Sequence, residues 1–119
     1  MISKDEMNDE ELDEIEMKQR KFSERLSVLR QNRNVSARDM SLSLGQSPSY
    51  INNIENGVSM PSMTSFFYMC DYLKVTPEEF FSYEIQNPIK CRETYDLTCH
   101  LSERQHDIIQ SLIIEIIKK

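Results

Sequence analysis

A chain of 119 residues accommodates one small domain with appendages and leaves no room for two of ordinary size. Fourteen Lys and Arg against twenty Asp and Glu give a formal net charge of −6 and a pI near 4.9, and 39% apolar residues suit a modest core rather than a deep enzymatic pocket. Two glycines, Gly45 and Gly57, cannot build a G-x-G-x-x-G turn or a G-x-x-x-x-G-K phosphate loop, and no apolar run approaches the roughly 20 residues of a membrane span.

Residues 1–17 hold one Lys and eight acids and read as an acidic tail, disordered or fraying, in which Leu12, Ile15 and Met17 make at most a marginal helix. An acidic start is no signal peptide, so the expected compartment is the cytoplasm. Residues 18–60 reverse the sign, with seven bases (Lys18, Arg20, Lys21, Arg25, Arg30, Arg33, Arg38) against three acids. In an acidic chain this basic segment is where an anionic partner is expected, with the acidic head a candidate competitor for it.

Residues 18–81 parse as five short helices. The first starts at Lys18 or Phe22, runs to Arg33, and places Phe22, Leu26 and Leu29 on one face. Ser36 is an N-cap with Asp39 three residues on, Met40 and Leu44 pair at i, i+4, and Gly45 closes this second helix. Ser47 followed by Pro48 reads as the N-cap and first position of a third helix, 47–56, with Ile51 and Ile54 inward and Gly57 as its stop. A fourth helix from about Ser62 to Leu73 is expected to bury Phe66, Cys70 and Leu73, with Met63 and Phe67 beside them. Thr76-Pro77-Glu78-Glu79 is a capping box that opens a short fifth helix carrying Phe80 and Phe81 into the core. No segment alternates as a strand does, so the fold class is all-α.

Residues 82–101 read as an irregular linker. Ser102, with Gln105 at the capping-box position, then opens a C-terminal amphipathic helix, 102–119. Its apolar residues pair as Ile108/Ile109, Leu112/Ile113 and Ile116/Ile117, and burying each contributes on the order of 1.5–3 kcal/mol, too much to leave in water. The face packs on its own domain or, the preferred reading, on the same helix of a second subunit, with Ile109, Leu112, Ile113 and Ile116 as dimer contacts. The three cysteines form no C-x-x-C pair and read as reduced thiols, Cys70 within the core. A metal site of Cys91, Cys99, His100 and His106 has ligand types for zinc but no common finger spacing, so no metal and no cofactor is expected.

Helix, Gly turn and helix between Ser36 and Asn56 form the helix-turn-helix arrangement. Phe22-Ser-Glu-Arg-Leu-Ser-Val-Leu-Arg, Asn34-Val-Ser-Ala-Arg-Asp-Met-Ser, Leu44-Gly45, Ser47-Pro-Ser-Tyr-Ile-Asn-Asn-Ile-Glu-Asn-Gly57, Pro61 and Leu73-Lys-Val-Thr-Pro-Glu-Glu-Phe-Phe81 fall at matching spacing. About half the chain thus resembles the Xre family, the lambda-repressor/Cro-like helix-turn-helix regulators. The resemblance implies a five-helix DNA-binding domain over 18–81 whose third helix lies in the major groove. It places Pro48, Ser49, Asn52 and Asn53 against base edges, where Asn pairs bidentately with adenine. Arg33, Arg38, Ser47, Tyr50 and Asn56 are the implied phosphate contacts. Two positions depart from the family pattern. A Gln that often braces the recognition helix is Ala37 here, and the small Ala of mid-helix 2 is Ser41, still able to pack closely.

The function these readings imply is a sequence-specific transcriptional regulator, a repressor acting as a homodimer on double-stranded DNA and performing no chemistry. The alternative is an antitoxin-like interaction module whose C-terminal helix binds a partner protein. An enzyme is not expected, because His100 and His106 lack a nucleophile or acid partner in the sequence.

Overall fold

A computed structural model describes residues 8–118, and all regular structure among them is helical. The elements are α1 (Asp9–Asn32), α2 (Ala37–Ser43), α3 (Tyr50–Glu55), α4 (Met63–Leu73), α5 (Pro77–Phe81), α6 (Pro88–Thr98) and α7 (Glu103–Ile117). The chain divides into two compact units with the boundary between Asn87 and Pro88. The first carries α1 to α5, and the second carries α6 and α7. Among the described residues no helix is long and apolar enough to cross a membrane.

Two expectations fail at the level of elements. The acidic head is not irregular from Asp9 onward: α1 begins there and runs unbroken for 24 residues. Asn8 is its N-cap, accepting from the Glu11 N–H at 2.8 Å while the Glu11 carboxylate accepts from the Asn8 N–H at 3.1 Å. Acids crowded into a first turn complement the positive end of the helix dipole, so the charge that suggested disorder here supports a helix. Residues 1–7 of the predicted tail lie outside the described residues. The predicted linker, in turn, contains α6, an 11-residue helix with Pro88 at its first position.

The core of the first unit joins Leu26 and Leu29 of α1, Met40 of α2, Ile51 and Ile54 of α3, and Phe66, Met69, Cys70 and Leu73 of α4, closed by Val75 and Phe80. The α4 stripe therefore runs at i, i+3, i+4 and i+7 from Phe66. Met63, in the first turn, and Phe67, one position round from Phe66, are exposed, contrary to expectation. Phe80 is fully buried, 4.8 Å from the Phe22 ring and edge-on to Phe66 at 5.1 Å, whereas Phe81 is half exposed beside them. Burial pushes the Cys70 thiol up to about 11, so at neutral pH it is an uncharged member of the core. Cys91 and Cys99 are exposed.

Arg25 ties the end of this unit to its beginning. Its guanidinium is buried and donates from Nε to the Phe80 carbonyl at 2.7 Å, from Nη2 to Glu79 at 2.7 Å and from Nη1 to Ile85 at 2.5 Å. Two of these carbonyls belong to the last residues of α5 and the third to the segment that follows it, and a planar five-donor fork reaches all three at once. Burial lowers the Arg25 pKa, opposed by the nearby Glu84 carboxylate. Replacing Arg25 by Met keeps the stem and removes the fork. We expect a loss of about 3 kcal/mol in urea unfolding, since hydrogen bonds to charged groups contribute roughly 1.5–3 kcal/mol each and the losses overlap.

Candidate nucleic-acid interface

The α2–α3 segment is built from local signals. The Ser36 side chain accepts from the Asp39 N–H at 3.0 Å and starts α2. Gly45 adopts φ +72°, a left-handed conformation that β-carbon-bearing residues resist, and lets the chain leave the helix. Ser47, Pro48, Ser49 and Tyr50 then form a turn in which the Tyr50 N–H donates to the Ser47 carbonyl at 3.1 Å. Proline presets the second residue of a type I turn, and Ser49, at φ −95° and ψ 1°, has the geometry of the third. This corrects the expected start of the third helix. Ser47 is the first residue of a turn, not an N-cap, and α3 proper begins at Tyr50 with no side-chain cap from Ser49.

The missing cap is supplied from another helix. Ser41, fully buried on α2, accepts the Ile51 N–H on Oγ at 2.9 Å and donates to the Ala37 carbonyl at 2.7 Å. Ser41 thus braces α3, the role that the sequence left vacant at Ala37. At the other end of α3, buried Ser23 of α1 donates its hydroxyl to the Ile54 carbonyl at 2.7 Å. Arg30 of α1 makes a two-pronged ion pair with Glu55, Nε to Oε2 at 2.7 Å and Nη2 to Oε1 at 2.9 Å, and donates from Nη1 to the Val35 carbonyl at 2.9 Å. The hydrogen bond to Glu55 raises the Arg30 pKa against the opposing effect of burial. Ile51 and Ile54 complete the anchorage as fully buried side chains.

The outer side of this segment is different in kind. Ser47, Pro48, Ser49, Asn52 and Asn56 are exposed, Asn53 and Tyr50 are half-buried, and among the described residues none of their side chains makes a hydrogen bond. The Asn53 backbone carbonyl accepts the Val58 N–H at 2.8 Å, which fixes its main chain while leaving the amide unengaged. Arg33 is the half-buried C-cap of α1 and Arg38 an exposed residue of α2; neither guanidinium has a partner among the described residues.

The basic segment is less available than its composition suggests. Arg25 and Arg30 are committed inside the fold, and Lys18 pairs with Glu14 across an exposed 3.6 Å contact. Asn56 shares a groove of about 570 Å³ with Arg20, Glu16 and Glu24, so its surroundings hold more carboxylate than the basic block implied. Among the described residues no group of three or more His, Cys, Asp or Glu is placed to hold a metal, and Cys91, Cys99, His100 and His106 form no such cluster.

In comparison with known proteins, a helix-turn-helix family model aligns with residues 26–80, from Leu26 of α1 to Phe80 of α5. Neither the curated proteins nor the solved structures returned a match.

The bracing role of Ser41 is testable. Ser41→Ala leaves the Ile51 N–H without its acceptor in a closed core, and we expect a loss of about 1–3 kcal/mol in denaturant unfolding. A change within about 0.5 kcal/mol would show that the contact is not needed.

Proposed function

From a chain whose residues 26–80 are a helix-turn-helix domain of the Xre/lambda-repressor-like kind, we propose a sequence-specific transcriptional repressor that binds operator DNA as a homodimer. The observation that carries this reading is the asymmetry of α3. Its inner side is fastened by Ser41, Ser23 and the Arg30–Glu55 pair, while its outer side offers serine and asparagine groups with no partner among the described residues. A reader of base edges needs both properties, because hydrogen bonds to bases discriminate only when the donors and acceptors are held in register.

In this reading Asn53 and Asn52 pair with bases, adenine N6 and N7 above all, Ser49 reaches a base edge, and Pro48 touches a thymine methyl. Arg33 and Arg38 neutralise phosphates, and Ser47, Tyr50 and Asn56 contact the backbone beside them. The mechanism is occupation of a promoter, with no bond made or broken. The apolar face of α7, through Ile109, Leu112, Ile113 and Ile116, holds two domains so that their recognition helices meet successive major grooves about one DNA turn apart.

Selection from random duplex DNA tests the reading. We expect an enriched palindrome, a steep dependence of affinity on salt, and a loss of about 1–3 kcal/mol for Asn53→Ala on the selected site. No enrichment, with weak binding even at low salt, would leave the helix-turn-helix as a scaffold for protein contacts. A second measurement addresses assembly: removal of residues 102–119 is expected to give a monomer by light scattering, and an unchanged mass would remove α7 from that role.

A further inference from the structure

Arg20 lies before the aligned residues 26–80, and the resemblance gives it no role. The structure nevertheless brings it to the end of α3. The buried Ser23 hydroxyl donates to the Ile54 carbonyl at 2.7 Å and sets the register of α1 against the last turn of α3. Residues three apart share a helix face, so Arg20 stands one turn before Ser23, on the side that meets the residues after Ile54. It accordingly lines the groove of about 570 Å³ that Asn56 and Gly57 also line. At Gly57 the main chain is open to approach, since a β-carbon there would meet no atom within 4 Å.

Among the described residues lining this groove Arg20 is the one cation, and it is exposed, with no hydrogen bond or ion pair among the described residues. Exposed Glu16 and Glu24 stand four residues before and after it, the spacing at which helical ion pairs form and at which Lys18 pairs with Glu14. Neither of them pairs with Arg20. The Glu55 carboxylate in the same groove is already held on both oxygens by Arg30. Exposed pairs of the Glu16–Arg20 kind are weak, so a better anion displaces them. A phosphodiester is that anion, because a planar guanidinium engages two of its oxygens together. Asn56, whose amide makes no hydrogen bond among the described residues, offers a second donor from the same groove.

We infer that Arg20 binds a phosphate of the DNA duplex beside the end of α3, with Glu16 and Glu24 competing for the same guanidinium. The inference rests on the DNA-binding reading above and extends the contact surface from α2 and α3 onto α1. A phosphate carries no sequence information, so Arg20 adds affinity without changing which sequence is preferred, and the two glutamates hold that sequence-independent part down.

Binding of the full chain to the selected duplex, and to a scrambled duplex of the same length, across a salt series tests this. Arg20→Gln is expected to weaken both about tenfold at low salt and to lower the slope of log affinity against log salt by about one. Arg20→Lys is expected to keep the slope. Lys21→Gln removes the neighbouring charge, which lines a different groove with Tyr83 and Val28, and is expected to change affinity less than about twofold. The double variant Glu16→Gln/Glu24→Gln is expected to bind both duplexes about threefold more tightly. Thermal unfolding of Arg20→Gln should match that of the wild type, because its side chain has no partner among the described residues. Unchanged affinity and slope in Arg20→Gln, an equal loss in Lys21→Gln, or no gain in the double variant would overturn the inference and leave the regulator standing. A wild type that binds neither duplex even at low salt would overturn both.

Discussion

Arg30 is the residue on which the position of α3 depends. Its guanidinium grips both oxygens of Glu55 and the carbonyl of Val35, so one side chain connects α1, the α1–α2 connection and α3. A helix of six residues cannot hold itself together in water, because forming the first turn costs more than so few hydrogen bonds return. Its shape and direction must come from its neighbours. Ser41 satisfies an orphan N–H at its start, Ser23 engages a carbonyl at its end, and Ile51 and Ile54 seal the face between them. All three polar contacts are sheltered, so none is readily exchanged for water, and no buried side-chain nitrogen or oxygen among the described residues lacks a partner.

The arginines of the first unit divide into two kinds according to where the helices place them. Arg25 and Arg30 face inward and serve as hydrogen-bonding forks, one closing the end of α5 and the other fastening α3. Half-buried Arg33 and exposed Arg38 have no ion-pair partner among the described residues. A count of bases along the sequence cannot separate these roles. The distinction matters in a chain of net charge −6, because any attraction for an anion must arise from a local patch rather than from the molecule as a whole. The long α1 sharpens the point: it carries the acids of residues 10–16 as a rigid extension of the same helix that contributes Arg25, Arg30 and Arg33.

What the sequence made legible is whatever is encoded within a few residues. Ser36 with Asp39, Thr76 through Glu79, and Ser102 with Gln105 appear as caps in the structure because a cap needs only residues three apart. The inward pair Ile51 and Ile54 followed from helical spacing. The same logic could have found α1 earlier, since Asn8 and Glu11 stand at capping-box spacing, but the density of acids pointed toward disorder and outweighed it. Contacts across 31 to 55 positions, such as Ser23 with Ile54 and Arg25 with Phe80, leave no local trace. Ser41 is the instructive case. Sequence comparison marks it as a departure from a small residue, while its hydroxyl does work that no packing argument would assign to it.

The two units differ in what they still need. The first closes its own core: ten buried apolar residues from all five helices and Val75 from the α4–α5 connection surround one another, and among the described residues its buried side-chain polar groups are paired. The second unit has the opposite character, a short pair of helices with most of its Ile and Leu surface in water. So few residues cannot bury enough surface to be stable alone, and association is the usual remedy for a unit of this size. Recognition and assembly therefore lie, on the proposed reading, on separate parts of the chain. On the proposed reading, changes in α7 alter how many copies meet and how strongly avidity supports DNA binding, while the fit of α3 to a base sequence stays governed by Arg30, Ser41 and Ser23.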